Sequence, residues 1–345
     1  MRPVTLKRLA WSCGLLLAVL LAVVLVALKL GAVPLSVSDL ALNLGRVAIG
    51  RSAQLPSEYR LIVFELRLPR ILLGILVGAA LSVAGAGFQA LLRNPLADPY
   101  VLGVSSGAAL GAIVSLVAAP HLTALGPLVT PAAAFLGAAL TIAAVYLLGR
   151  RGGQLDSGTL LLAGIITASF LSGVIMFLMT TLSGRDLRGM AFWLMGDLST
   201  PPPPSTLVRS VFVGGILIAV GAVYTTAADL NLLLTGEREA MHLGVQVTRV
   251  KLVVYIAASM LTGLAVSVSG AIGYVGLLVP HAMRLLFGPD YRLLIPTSAL
   301  GGAIAIVLAD TLARTIAAPT ELPVGAMTAM AGAPVFIYLL RRRLR

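Results

Sequence analysis

Residues 99–149 read PYVLGVSSGAALGAIVSLVAAPHLTALGPLVTPAAAFLGAALTIAAVYLLG and contain no Asp, Glu, Lys or Arg. A helix needs about 20 apolar residues to cross the hydrocarbon core of a bilayer. This stretch is long enough for two such crossings, and Pro120, Gly126, Pro127 and Pro131 supply the break between them. Working outward, uncharged apolar runs recur at residues 9–28, 71–92, 157–184, 210–228, 293–309 and 322–340. A further run at 252–283 exceeds one crossing, and Gly270-Ala271-Ile272-Gly273 divides it. The expected architecture is an all-α polytopic membrane protein with about ten transmembrane helices.

Composition agrees. Hydrophobic residues make up 59% of the chain and charged residues 11%, whereas soluble domains carry roughly 25% charge. Too few charges are present to cover a water-facing surface. Barrel strands would alternate apolar with polar residues, and these runs are apolar on every side. Lys7 and Arg8 precede the first run, which is longer than the apolar core of a secretory signal, so a retained helix is expected. The whole of 1–345 reads as a single transmembrane domain, with a first helix and outer loop over 1–60 and a core over 61–345. Cys13, the only cysteine, allows no intramolecular disulfide.

An even number of crossings puts both termini on one side. The basic tail Arg341-Arg342-Arg343-Leu344-Arg345 and the head Arg2, Lys7 and Arg8 assign that side to the cytoplasm. Arg60, Arg67 and Arg70 then cluster on the outer side, against the usual bias. Such a cluster either anchors headgroups or docks an acidic external partner.

Gly78-Ala-Ala-Leu-Ser-Val-Ala-Gly85-Ala86 is echoed by Gly263-Leu-Ala-Val-Ser-Val-Ser-Gly270-Ala271. Small-residue stretches follow each, at Ser105–Gly111 and Thr297–Gly302. The echoing spans, second and seventh, cross in opposite directions, which is the plan of an inverted repeat of spans 2–5 and 7–10. The competing reading is chance similarity between Gly/Ala-rich helices. Gly74, Gly78, Gly85 and Gly87, with Gly103, Gly107 and Gly111, suit the close helix packing that lipid-embedded bundles need.

Three loops carry organisation. Asn94, Pro95, Asp98 and Pro99 predict a rigid, self-bonded turn. Pro201–Pro204 is a stiff spacer. Residues 229–250 hold a short amphipathic helix, with Glu237, Arg238 and Glu239 beside Ala240, Met241 and Leu243, ended by Gly244. That helix either lies on the membrane or enters a groove on a partner.

No phosphate-binding Gly-x-x-x-x-Gly-Lys-Ser/Thr loop and no His-Glu-x-x-His is present. His121, His242 and His281 are scattered, so no metal site and no cofactor is expected. Asp310 lies within a span, with Arg314 at i+4; the pair is either structural or part of docking and gating. An ion-driven carrier would need more intramembrane carboxylates, and remains the alternative of another class. A membrane-embedded enzyme has no motif in its favour.

Arg67-Leu-Pro-Arg70, Arg93-Asn-Pro-Leu-Ala-Asp-Pro99, Leu102-Gly-Val-Ser-Ser-Gly107, Phe192-Trp-Leu-Met-Gly196, Gly273-Tyr-Val-Gly-Leu-Leu-Val-Pro-His281, Gly288-Pro-Asp290, Glu321-Leu-Pro-Val-Gly325 and Gly332-Ala-Pro334 occur in this order. In these the chain resembles the FecCD-type permeases of ABC importers, which take up iron-siderophores, haem and cobalamin. The resemblance implies a homodimer in lipid, two cytoplasmic ATPase subunits and an external substrate-binding protein, with no nucleic acid partner. It implies docking of the binding protein at Arg67, Arg70 and Arg314. It implies seating of the ATPase at Glu239, Ala240, Leu243 and Gly244. It also implies a path along the fifth span, with a gate at Ser157 and Gly158 and lining from Thr167, Ser172 and Met176. Iron-siderophore is the first expected cargo, with cobalamin or haem as the alternative.

Overall fold

A computed structural model describes residues 5–31, 33, 35–50, 55–118, 128–151, 154–182, 184–199, 206–318 and 320–343. The tetraproline spacer, Pro120, Gly126, Pro127 and His121 lie outside them.

Among the described residues the chain is helical apart from one two-residue hairpin. In order, the elements are α1 (Leu6–Lys29), α2 (Val37–Ala48), α3 (Ser57–Tyr59), a π-helical stretch (Arg60–Arg67), α4 (Leu68–Leu91), a 3-10 turn (Pro99–Leu102), α5 (Val104–Val117) and α6 (Val129–Leu148). Then come β1 (Arg150–Arg151), β2 (Gln154–Leu155), α7 (Ser157–Met179), α8 (Gly184–Leu194), α9 (Thr206–Thr225), α10 (Ala227–Leu233) and α11 (Glu237–His242). The last are α12 (Val247–Ser269), α13 (Val275–Phe287), α14 (Tyr291–Thr315) and α15 (Val324–Arg343). Among the described residues, seven helical segments are long and apolar enough to cross a membrane, and Val104–Val117, Val275–Phe287 and Val324–Ile337 are shorter apolar helices.

The boundaries follow local chemistry. Thr5, Ser36, Asp156 and Asp290 each accept a backbone N–H at a helix start. Gly270, at φ 63°, ends α12, and Gly288, at φ 106°, ends α13. The division expected at Gly270–Gly273 is therefore a real break.

Three differences from the sequence reading stand out. The second span begins much earlier than residue 71, because α3, the π-helical stretch and α4 form one continuous helix over Ser57–Leu91. Arg60, Arg67 and Arg70 thus lie within the helix and not in the loop before it. The loop expected up to residue 60 contains the amphipathic α2, started by Ser36. The fifth span ends at Met179, and the separate helix α8 follows it.

α4, α12 and α14 form the interior, and are mostly buried. α4 packs on α14, and α12 packs on α6; α5 packs on α6, and α13 packs on α14. Gly78 of α4 sits against the carbonyl of Gly302 in α14, and Gly107 of α5 against that of Gly137 in α6, so a Cβ at Gly78 or Gly107 would collide with backbone. Dispersion between closely approaching backbones holds such helices where no hydrophobic drive exists. The outward faces carry large apolar side chains such as Leu21, Phe170 and Ile218.

Candidate functional site

One end of α4 carries an ionic network. Asp310 is 2% exposed. Its Oδ1 accepts Arg70 Nε at 2.8 Å and its Oδ2 accepts Arg314 Nε at 3.0 Å. Arg70 Nη1 donates to Glu321 Oε2 at 2.7 Å. One carboxylate thus ties α4 to α14, and Arg70 extends the tie to the segment before α15. Arg314 Nη2 is buried and has no hydrogen-bond partner among the described residues.

Arg67 behaves differently. It is buried, and donates to the carbonyls of Leu28 at 2.5 Å, Lys29 at 3.2 Å and Val33. These acceptors lie at and beyond the C-terminus of α1, where carbonyls lack intrahelical partners and the helix dipole is negative. The three arginines expected at the docking site thus differ in exposure. Arg67 and Arg314 are each 6% exposed, and Arg67 is committed to α1. Only the Arg70–Glu321 pair reaches the surface, through a half-exposed Glu321. The Asp310–Arg314 pairing expected at i+4 is present. Glu321 was missed as a partner, although it stands in the Glu321-Leu-Pro-Val-Gly325 motif.

The other end of α4 meets the start of α7, and α11 packs on α10 and α12. Asp156 caps α7 by accepting from Thr159 N at 2.8 Å and Oγ1 at 2.7 Å. Ser157 Oγ donates to the carbonyl of Leu91, the last residue of α4, at 3.1 Å. Gly158 is exposed beside them. On α7, Ser172 and Met176 are exposed and Thr167 is half-buried. At about 100° per residue, Met176 stands on the side of the helix opposite Thr167, so the three expected path residues do not share one face. The exposed face instead carries Ile166, Ser169, Phe170, Ser172, Gly173 and Met176.

α11 is short but firmly ended. The N–H of Gly244 bonds the carbonyl of Met241, and that of Val245 bonds the carbonyl of Ala240, both at 3.0 Å. This is a Schellman stop with Gly244 at φ 88°. Ala240 is fully buried, while Glu239, Met241, Leu243 and Gly244 face outward. Ala240 therefore seats the helix on its own chain rather than on a partner.

Between the two ends, the loop after α4 locks onto the break after α12. Asn94 Oδ1 accepts Leu96 N at 3.0 Å, and Pro95 lies within that turn. Asp98 accepts Tyr100 N at 2.9 Å and also the N–H of Tyr274. Tyr274 is held at φ 67°, a left-handed conformation that bulky residues rarely adopt. Tyr100 Oη donates to the carbonyl of Ile272 at 3.0 Å and accepts Ile272 N at 2.9 Å. Pro99 packs against Gly276. Burial raises the Asp98 carboxyl to about 6, against the lowering effect of the two N–H donors.

Comparison with known proteins gives a consistent set. The model of the FecCD transport family matches residues 19–342. The chain is 43% identical over 345 residues to a cobalamin import system permease protein of Halobacterium salinarum, covering 99% of this chain and 90% of that protein. It is 42% identical over 287 residues to a hemin transport system permease protein of Yersinia pestis, covering 81% and 83%. Among solved structures it is similar to a metal-chelate type ABC transporter in an inward-facing conformation, with TM-score 0.80, 28% identity, and coverage of 96% and 99%.

Proposed function

Because the chain belongs to the FecCD transport family and is a multi-pass inner-membrane permease of the ABC importer class, we propose that it moves a metal chelate into the cytoplasm by alternating access, driven by separate ATPase subunits. The observation that carries this reading is α11. It is a helix stopped by Gly244 and fixed by buried Ala240, and it leaves Glu239, Met241 and Leu243 exposed for a second protein.

Each of the seven long and three shorter apolar helices crosses the membrane in this reading, and both termini lie in the cytoplasm. Reciprocal packing of α4 on α14 and of α12 on α6 supports an inverted repeat. Two copies form the transporter, and the exposed α7 face with Ser169, Ser172 and Met176 lines the path between them, entered at Ser157 and Gly158. An external binding protein docks over the Arg70–Glu321 pair. Arg314, with one unpartnered nitrogen, stands behind it, and Arg67 supports the site by holding α1. An iron-siderophore is the first cargo. The full-length similarity to the Halobacterium permease favours cobalamin as the second reading.

The test is uptake into vesicles holding the chain, its ATPase and loaded binding protein. Ferric siderophore, cobalamin and haem are offered separately, with and without ATP. ATP-dependent uptake of one chelate is expected. Uptake by the chain alone, driven by an ion gradient, would overturn the reading.

A further inference from the structure

Lys251 lies in the second turn of α12 and is 5% exposed. Its ammonium has two partners from elements far apart in sequence. It pairs with Glu237 Oε1, on the first residue of α11, at 2.5 Å. It also donates to the carbonyl of Leu155, at the end of β2, at 3.1 Å. Leu155 is itself buried and stands two residues before α7. The other flank of the α7 start is held by the Ser157 bond to Leu91. One buried cation thus joins the helix that faces the ATPase to the entrance of the helix that lines the path.

A buried ammonium is not free to lose its acceptors. Removing the anion from a buried pair leaves an uncompensated charge, which is strongly unfavourable. If α11 shifts, the ammonium keeps its low energy only by moving with Glu237. The four-carbon stem and three rotatable donors of lysine allow it to hold two acceptors while both move. The Leu155 carbonyl, and with it the start of α7, is then drawn along.

We propose that Lys251 is the positioning residue that passes displacement of α11 to the cytoplasmic entrance of α7. This rests on the reading of α11 and α7 given under Proposed function, and deepens it by naming the link between them.

The test uses the complete complex in vesicles. Lys251→Met is expected to assemble with the ATPase and leave its basal hydrolysis in place, while substrate moved per ATP falls about tenfold, within the range that couplings between sites take. Glu237→Ala should lower the same ratio, and combining it with Lys251→Met should add little, because both act through one link. Lys251→Arg should restore most of the ratio. A second readout follows Gly158→Cys in a Cys13→Ser background. Its rate of labelling by a soluble maleimide should respond to a non-hydrolysable ATP analogue, and that response should vanish with Lys251→Met. An unchanged ratio or an unchanged labelling response in Lys251→Met overturns the proposal. If Lys251→Met does not accumulate, the double variant with Glu237→Ala, which leaves no unpaired charge, decides on the same two readouts. Failure of the underlying reading looks different: charged replacements at Met241 and Leu243 would then leave assembly with the ATPase intact.

Discussion

Arg70 and Asp310, separated by 240 positions in the chain, meet at 2.8 Å between α4 and α14. The carboxylate also holds Arg314, so both of its oxygens are engaged inside the bundle. Asp310→Ala would leave the buried Arg314 guanidinium without its anion, while part-buried Arg70 would keep only Glu321. Removing one partner of a buried pair costs about 3–5 kcal/mol. A loss of that size is expected in thermal unfolding of the detergent-solubilised protein. Asp310→Asn, which keeps one acceptor, should lose less. Equal stability of Asp310→Ala and the parent would show that the network contributes nothing.

Gly78 and Gly302 set the distance between the same two helices. A Cβ at Gly78 would run into the Gly302 carbonyl, and backbone cannot step aside as a flexible side chain can. Gly78→Val is expected to cost about 3 kcal/mol, at the upper end of overpacking effects, and to lower the yield of monodisperse protein. Gly14, on the exposed face of α1, has nothing within 4 Å of a Cβ, so Gly14→Ala should be neutral. Size-exclusion profiles of the two variants make the comparison.

The bundle was legible because lipid demands long apolar runs, and the chain supplies them with Pro and Gly at the breaks. The Gly270–Gly273 division could be read for the same reason. The start of the second span could not, since Arg60, Glu65, Arg67 and Arg70 interrupt the hydrophobic signal while the helix runs through them. The outer site was half legible. The i+4 spacing exposes Asp310–Arg314, but no local pattern links Arg70 to Asp310, Arg67 to the end of α1, or Lys251 to Leu155. Those depend on which helix ends tertiary packing brings together. Gly85 and Gly270 show the limit of an echo. They match in sequence, yet Gly85 lies inside α4 and Gly270 ends α12.

Arg67 joins α1 to the body of the protein. Bonds from a charged donor contribute about 1.5–3 kcal/mol each, and here they serve carbonyls that α1 itself leaves unpaired. Arg67→Met should loosen the last turn of α1 without unfolding the bundle. Hydrogen exchange at the amides of Leu28, Lys29 and Leu30 is expected to rise by about tenfold or more, as for local opening. The amides of α12 should keep their protection. If both regions change together, α1 is part of one cooperative unit and the clasp is not local.

Asp98 gives the pH dependence its sign. Its carboxyl is raised in the folded protein from 3.8 to about 6, with desolvation by burial as the main cause. Folding therefore favours the protonated form. Its contribution to stability is fully present below about pH 4 and is lost as pH rises toward 6 and beyond, by at most about 3 kcal/mol. Asp98→Asn cannot ionise, yet keeps an oxygen for the backbone donors of Tyr100 and Tyr274. The variant should melt at the same temperature as the parent near pH 4 and above it at pH 7.5, where the parent carries a desolvated carboxylate. Unfolding midpoints across that range check the expectation. A deficit of constant size at every pH would mean instead that both carboxylate oxygens are needed as acceptors, and that the grip on Tyr274 outweighs the desolvation of the charge.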